Sequence, residues 1–281
     1  MSEPAVGVTP PRVLTVAGTD SGGGAGIAAD LRALTACGVH GALAVTAVTV
    51  QNSRGVTGIH EIPHAVVTAQ INAVVSDIGA NVVKTGMLGS AALIEALTGT
   101  FDQLNIGSAG IPLVVDPVAA SMHGSQLVDD SALTAIRSRL FPRATLITPN
   151  LDEVRLLIGH GVHSRAEQYD AAKALHDLGS RYVLVKGGHL AEDIDECVDL
   201  LYDGTDFIEY PGPRFATDNT HGSGENLGAA ISAGIARGMT VPDAVAHGKR
   251  YIVEAVRHSY PLGAGHGPVS PLWAVDPWWQ Q

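Results

Sequence analysis

The sequence has few of the residues that mark secreted, membrane or nucleic-acid-binding proteins. Its two cysteines, Cys37 and Cys197, are too few for a disulfide framework and form no C-x-x-C or Cys/His metal motif. Lys and Arg total 17 against 28 Asp and Glu, a formal charge of -11 that argues against nucleic acid as a partner. The most apolar stretch, GALAVTAVTV, is shorter than the roughly 20 apolar residues of a membrane helix. We therefore expect a cytoplasmic protein without a membrane anchor.

The first residues, MSEPAVGVTPPR, lack the basic end and apolar run of a secretory signal. Three prolines and one acidic residue in this stretch predict a disordered tail over residues 1–11. No charge run, low-complexity tract or internal repeat interrupts the remaining chain. Residues 12–281 are therefore interpreted as a single domain.

Short β-branched segments alternate with Ala/Leu-rich segments, a pattern typical of βαβ units. It predicts an α/β fold with a mostly parallel central sheet flanked by helices. The predicted strands cover residues 12–18, 41–52, 82–86, 112–118, 144–150 and 182–188. Beyond them, CVDLLYDG and TDFIEYPGPRF predict an antiparallel pair joined at Asp203 and Gly204.

Small, polar or charged residues follow each of these six strands, in GTDSGGGAG, QNSRG, TGMLG, DPVAASMHG, TPNLDE and KGGH. Any one of these segments has the composition of a turn. In parallel sheets, however, ligands bind beyond the carboxyl ends of the strands, where all six segments would meet. Their coincidence predicts a binding site at that edge of the sheet.

The segment NTHGSGENLG places Gly222, Ser223 and Gly224 before a helix predicted to begin near Asn226. Small side chains at a helix start let a phosphate approach the backbone N–H groups and the positive end of the helix dipole. Glu225, at the edge of this anion hole, could accept a proton from an attacking hydroxyl. The alternative is an ordinary helix start at which the carboxylate only favours the dipole.

The glycine-rich segment SGGGAGIAADLRA has neither the G-x-G-x-x-G spacing nor the G-x-x-x-x-G-K-[ST] pattern of a nucleotide loop. Its glycines would let a substrate ring lie against the backbone, with Asp20 and Asp30 as polar walls. A flexible turn followed by a helical acid is the alternative.

Charged residues after three strands are candidates for a metal and phosphate site. Asp116 in VVDPV and Glu153 in TPNLDE could organise water around a magnesium ion, and Lys186 in VLVKGGH could contact phosphate oxygens. Turn or cap acids and a solvated lysine are the alternatives.

Taken together, VAGTDSGGGAGIAADLRA, TAVTVQNSRGV, KTGMLGS, VVDPVAASMHG, TPNLDE, VLVKGGH, NTHGSG and GHGPVSPL resemble the hydroxymethylpyrimidine/phosphomethylpyrimidine kinases of the ribokinase superfamily. The resemblance extends from about Arg12 to Leu272. It implies a ribokinase-like three-layer sandwich, cofactors ATP and Mg²⁺, with a monovalent cation as a further candidate, and a homodimer. It also implies transfer of phosphate to the hydroxymethyl group of a small aminopyrimidine and then to the monophosphate, at one site.

The resemblance also assigns residues. Gly18, Asp30, Gln51 and Met87 would line the pyrimidine pocket, and the Gln51 amide offers both a donor and an acceptor to an aminopyrimidine. A second group would face magnesium, the nucleotide and the transferring phosphate: Asp116 and Glu153 for magnesium and its waters, Asn150 and Lys186 for the nucleotide phosphates, and Gly222 to Gly224 for the anion hole.

This chain has GSGENL where relatives carry GTGC or GxGD, usually followed by Thr-Leu. Glu225 lengthens the acid by one methylene, and misplacement by about 1 Å can cost on the order of 100-fold in rate. Our hypothesis is that Glu225 serves as base for the first transfer and matters less for the second, in which the nucleophile is an ionised phosphate. Pyridoxal kinase activity, or a pyrimidine-binding protein with weakened catalysis, are the alternatives.

Overall fold

The structure is a computed structural model, and it describes residues 7–107, 110–119, 128–188, 190 and 195–275. The first part of the expected N-terminal tail, the AASMHGSQ segment after its first residue, His189 and the last six residues lie outside these ranges. None of the helices in the described ranges is both long and apolar enough to cross a bilayer.

Strands and helices alternate through most of the chain, as the sequence pattern predicts. The strands are Arg12–Ala17 (β1), His40–Val45 (β2), Ala47–Asn52 (β3), Gly55–Glu61 (β4), Val82–Thr85 (β5), Leu113–Val115 (β6), Leu146–Ile147 (β7), Tyr182–Val185 (β8), Asp199–Tyr202 (β9) and Phe207–Tyr210 (β10). The α-helices are Gly26–Ala36 (α1), His64–Ala73 (α2), Ala91–Gln103 (α3), Asp130–Ala135 (α4), Leu151–Ile158 (α5), Arg165–His176 (α6), Ser223–Ala236 (α7) and Val241–Arg257 (α8).

Eight strands form one sheet in the order β10-β9-β8-β7-β6-β5-β1-β2. Neighbours from β2 to β8 are parallel, whereas β9 pairs antiparallel with both β8 and β10. The antiparallel pair joined at Asp203 and Gly204 is confirmed, and so is the mostly parallel sheet. Parallel pairing brings the carboxyl ends of β1, β5, β6, β7 and β8 to one edge.

Helices cover both faces of this sheet, which gives three layers. Side chains alternate across the strands, so that in β6 Leu113 and Val115 pack in one core cluster while Val114 packs in the other. The first cluster contains residues of α2 to α6, and the second contains residues of α1, α7 and α8. The expected three-layer α/β sandwich is confirmed.

The second predicted strand, residues 41–52, is wrong as one element. The chain leaves the main sheet at Thr46, whose N–H donates to the Ala17 carbonyl and whose hydroxyl donates to the Met87 carbonyl. From Ala47 it forms a separate two-stranded antiparallel sheet, β3 with β4. Valine and threonine continue through the break, so composition does not reveal it. The turn between Asn52 and Gly55, flanked by valines, was the available signal for β4.

Helix α7 begins three residues earlier than predicted, at Ser223. The sequence favours a later start because Ser and Gly are poor helix formers. Gly222 is the N-cap in the left-handed conformation, with φ of 76°. Glu225 is therefore the third residue of the helix and lies within its first turn.

Candidate active site

The first turn of α7 lies against polar residues at the carboxyl edge of the sheet. Asp116 follows β6 directly, and Lys186 follows β8, held by its N–H bond to the Pro149 carbonyl at 2.9 Å. A Cβ atom added at Gly224 would lie 3.2 Å from Lys186 Nζ and 3.5 Å from Asp116 Oδ2. Glycine at 224 therefore leaves the helix start in close contact with a partly buried ion pair.

Gly222 brings the same helix start against the glycine-rich loop after β1. A Cβ atom at Gly222 would overlap the Gly24 carbonyl oxygen, so no side chain fits at this position. The positive φ also favours glycine at this position. The loop after β1 and the predicted anion hole are therefore adjacent walls of one site.

Asp116 and Lys186 form an ion pair, with Lys186 Nζ 3.2 Å from Asp116 Oδ1. Burial alone would lower the pKa of Lys186, but the charges of Asp116 and Glu153 outweigh it and raise the pKa to about 12. Lys186 is thus a cation beside the start of α7, and its contact with phosphate remains a prediction.

Glu153 and Asn150 form a capping box at the start of α5. The Asn150 side chain accepts from the Glu153 N–H at 2.9 Å, and the Glu153 carboxylate accepts from the N–H groups of Asn150 and Ala119. The proposed contacts of Asn150 with nucleotide phosphate and of Glu153 with magnesium waters remain predictions, since both side chains already serve the helix cap. Burial raises the pKa of Glu153 to about 7, against the opposing charge of Lys186.

Replacing Glu153 with glutamine is expected to change how stability depends on pH. An acid whose pKa is raised on folding binds its proton more tightly in the folded state, so its contribution to stability falls as pH rises from about 4.5 to about 7. Glutamine mimics the protonated form and does not titrate. Thermal unfolding of the ligand-free protein measures this effect. The stability of Glu153→Gln relative to the parent chain should rise between pH 5 and pH 8. A constant difference across this range would contradict the assignment.

A second ion pair, Lys84 with Asp30, lies beneath α7. Both side chains are fully buried, with Lys84 Nζ 2.9 Å from Asp30 Oδ1, and the Lys84 side chain packs under Gly228. Burial would lower the pKa of Lys84, but the charges of Asp30 and Asp116 outweigh it and the pKa is raised. Sequence reasoning missed Lys84, although a lysine inside the buried run VVKT was a usable signal.

Glu225 is half-buried among these charges. Burial raises its pKa, as does the nearby charge of Asp116, while Lys84 acts in the opposite direction. A carboxylate with a raised pKa is a stronger base than an ordinary glutamate. The environment of Glu225 therefore suits proton abstraction.

The residues expected to line the substrate pocket separate into two groups. Gly18 and Met87 are in direct contact, because a Cβ atom at Gly18 would lie 2.6 Å from Met87 Cε. Gln51 reaches the start of α7, with its amide 3.5 Å from His221 Nε2. Gly18 also borders the glycine-rich loop, since its carbonyl accepts the Ile27 N–H at 3.0 Å. That these three residues line one substrate pocket remains a prediction.

Asp20 and Asp30 are placed differently from the expectation that both form polar walls. Asp30 is fully buried, and its carboxylate contacts Lys84 and the Thr15 hydroxyl. Asp20 is 6% exposed and folds its carboxylate back onto its own loop and onto His221. The reason is physical: a carboxylate in a nearly dry position needs donors, and both residues find them within the protein.

A magnesium ion at this site would have few protein ligands. In the described part of the chain, no three His, Cys, Asp or Glu side chains are grouped as a metal site. Mg²⁺ nevertheless binds through one or two carboxylates together with waters and substrate phosphates. Asp30 pairs with Lys84 and Asp116 pairs with Lys186, and the charge of Glu225 acts on both lysines while that of Glu153 acts on Lys186. This excess of acidic groups suits a divalent cation.

Known proteins resemble the chain over nearly its whole length. The Phosphomethylpyrimidine kinase family matches residues 20–270. The hydroxymethylpyrimidine/phosphomethylpyrimidine kinase of Mycobacterium tuberculosis is 55% identical, covering 96% of this chain and 97% of the relative.

Two solved structures are also similar. An ADP complex of Bacillus subtilis pyridoxal kinase has 33% identity and a TM-score of 0.85, covering 94% of this chain and 98% of its own. The phosphomethylpyrimidine kinase of Clostridium difficile has 35% identity and a TM-score of 0.76, covering 87% and 99%. These matches show that the chain belongs to the phosphomethylpyrimidine kinase family.

Proposed function

We propose that this kinase transfers phosphate from ATP to the hydroxymethyl group of hydroxymethylpyrimidine and then phosphorylates the monophosphate to the diphosphate, in thiamine biosynthesis. The observation that carries the proposal is the position of Glu225, in the first turn of α7 beside the Asp116–Lys186 ion pair. Membership of the family supplies the reaction class, phosphoryl transfer.

In the first transfer, the backbone N–H groups at the start of α7 would hold the transferring phosphoryl group. Lys186 would contact its oxygens as charge moves toward the leaving group, and Glu225 would accept the proton of the hydroxymethyl oxygen. Asp116 would hold Mg²⁺ through water, and the ion would neutralise phosphate charge when bound.

In the second transfer the nucleophile is a phosphate oxygen of the monophosphate. This oxygen is largely ionised at neutral pH, so proton removal contributes less to the barrier. The anion hole and Lys186 would still be needed, because both steps transfer the same group from the same donor. One site can therefore catalyse both steps, and the rate of the first step should depend on Glu225 more than the rate of the second.

The test is the initial rate of ADP formation with Mg²⁺ and ATP, measured separately for hydroxymethylpyrimidine, its monophosphate and pyridoxal. Turnover of both pyrimidines at rates well above that of pyridoxal supports the proposal. Preference for pyridoxal would favour a second candidate, pyridoxal kinase, which the similarity to the Bacillus subtilis enzyme supports. Tight pyrimidine binding without ADP formation would identify a binding protein instead.

We also propose that the protein is cytoplasmic and that a monovalent cation is an additional candidate cofactor. We further propose that the protein forms a homodimer. The β3–β4 ribbon leaves branched apolar side chains open to solvent, with Val50 62% and Ile59 59% exposed. Exposed apolar groups concentrated on one ribbon suit contact with a second copy of the chain. Replacing both residues with glutamate should therefore yield a monomer in light scattering after size exclusion. A parent chain that is itself monomeric would contradict the dimer.

A further inference from the structure

The two peptide groups that flank Lys186 are both held by hydrogen bonds. On one side the Lys186 N–H donates to the Pro149 carbonyl at 2.9 Å. On the other side the Gly187 N–H donates to the carboxylate of Asp199, 2.9 Å from Oδ1. Because two planar peptide groups define φ and ψ of the residue between them, these bonds fix the direction in which the Lys186 side chain leaves the backbone. That direction brings Lys186 Nζ to 3.2 Å from Asp116 Oδ1.

Asp199 supplies a side-chain acceptor at the point where the pairing of two strands stops. The last residue of β8, Val185, pairs with Leu200 of β9, and Asp199 is the first residue of β9. Gly187 follows so close to the same segment that a Cβ atom there would overlap the Val198 carbonyl. A carboxylate accepts a stronger hydrogen bond than a backbone carbonyl does. Asp199 therefore holds the turn after β8 more firmly than a further backbone bond would.

The Asp199 carboxylate is itself held by Lys249 of α8. Lys249 Nζ lies 2.8 Å from Asp199 Oδ2 and also donates to the Cys197 carbonyl at 2.8 Å. Both residues are buried, with Asp199 5% and Lys249 7% exposed. The two carboxylate oxygens thus have different partners, the Gly187 N–H and the Lys249 ammonium. Rotation of the carboxylate would break both contacts, so α8 anchors the turn that carries Lys186.

The residue before Lys249 packs α8 against α7. A Cβ atom at Gly248 would lie 2.5 Å from Ile231 Cγ1 and 3.2 Å from Leu227 Cδ1, so glycine lets the two helices approach closely. The first turn of α7 carries the proposed anion hole. Two adjacent residues of α8 therefore support both parts of the proposed phosphate site, the start of α7 and the turn after β8.

We propose that Asp199 and Lys249 are positioning residues for phosphoryl transfer. They hold the Gly187 peptide group, and through it they hold the Lys186 side chain at the distance from α7 that phosphate binding requires. The inference rests on the proposed contact of Lys186 with the phosphates. Its consequence is that damage to the Asp199–Lys249 pair affects the reaction only through Lys186.

Asp199→Asn tests the pair with little change in shape. Asparagine has one oxygen and one NH₂ group, so it can accept from Lys249 or from Gly187 but not from both. The kcat for hydroxymethylpyrimidine and for its monophosphate should both fall by about 10- to 100-fold, because misplacement by about 1 Å can cost on the order of 100-fold in rate. The KM for each acceptor should stay within about twofold of that of the parent chain.

A double-mutant cycle with Lys186→Met separates positioning from a general loss of structure. In Lys186→Met the ammonium is already absent, so adding Asp199→Asn should lower kcat by less than about twofold. If Asp199→Asn slows Lys186→Met by the same factor as it slows the parent chain, the inference is overturned. Lys249→Gln, which removes the charge but keeps a donor toward Asp199, enters the same cycle should Asp199→Asn fail to fold.

Asp102→Asn is the matched control for removing a carboxylate from an ion pair. Asp102 lies on α3 and pairs with Arg143, which precedes β7 and is therefore at the opposite edge of the sheet from Lys186. This control should leave kcat unchanged for both acceptors. An Asp199→Asn chain that behaves like Asp102→Asn would also overturn the inference.

A second readout needs no acceptor. Calorimetry with Mg²⁺ gives the dissociation constants of ATP and ADP, and their ratio reports the contacts of the terminal phosphate. In Asp199→Asn the preference for ATP should fall by about three- to tenfold, whereas in Lys186→Met the same substitution should leave it unchanged. An unchanged preference in Asp199→Asn would overturn the inference even if the protein phosphorylates pyrimidines. The expected nucleotide binding without pyrimidine phosphorylation in the parent chain would instead count against the proposed function alone.

Discussion

Replacing Glu225 with glutamine is expected to slow phosphorylation of hydroxymethylpyrimidine by about 100- to 10,000-fold, the usual contribution of a positioned general base. Glutamine keeps the shape of the side chain in the first turn of α7 but cannot accept the proton. Phosphorylation of the monophosphate should fall much less, because its nucleophile is already ionised. Initial rates on the two acceptors, measured with the same preparation, separate the two effects.

Glu95→Gln is a suitable control, since Glu95 is an exposed carboxylate on α3. It should leave both rates unchanged. Equal losses on both acceptors in Glu225→Gln would contradict a role as base for the first step and would indicate a general disturbance of the helix start.

Replacing Lys84 with methionine is expected to destabilise the protein by about 3–5 kcal/mol, because Asp30 would remain as a buried carboxylate without its cation. Denaturant unfolding at pH 7 measures this loss. Asp30 can escape the penalty by taking up a proton, so the loss should shrink as pH is lowered toward 5.

The double variant Lys84→Met with Asp30→Asn is the matched comparison. Asparagine can still accept the Thr15 hydroxyl, whereas it removes the uncompensated charge. The double variant should therefore be more stable than Lys84→Met alone. Additive losses from the two substitutions would show that the residues do not act as a pair.

Much of the fold could be predicted from the sequence because strand and helix patterns are local. The run VVKT and the run YVLV are short, β-branched and flanked by glycine or polar residues, and both are strands as expected. The break at Thr46 could not be predicted, since it depends on hydrogen bonds to Ala17 and Met87 from distant parts of the chain.

The site was predictable in outline for a similar reason. Residues after parallel strands must meet at one edge, which is why Asp116 and Lys186 lie together beside α7. The sequence could not tell which acids would face the cleft. Asp30 points inward because it pairs with Lys84, and Asp20 points toward its own loop and His221. Lys84 and His221 are far from these acids in the sequence, so neither contact could be predicted from it.

The most direct test is a mass-resolved time course with ATP, Mg²⁺ and hydroxymethylpyrimidine, in the parent chain and in Glu225→Gln. The parent chain should form the monophosphate first and the diphosphate later, from one purified protein. The variant should stall on hydroxymethylpyrimidine yet convert added monophosphate. Release of ADP without any phosphorylated pyrimidine from the parent chain, or a variant that forms monophosphate as fast as the parent, would contradict a two-step pyrimidine kinase with Glu225 as its base.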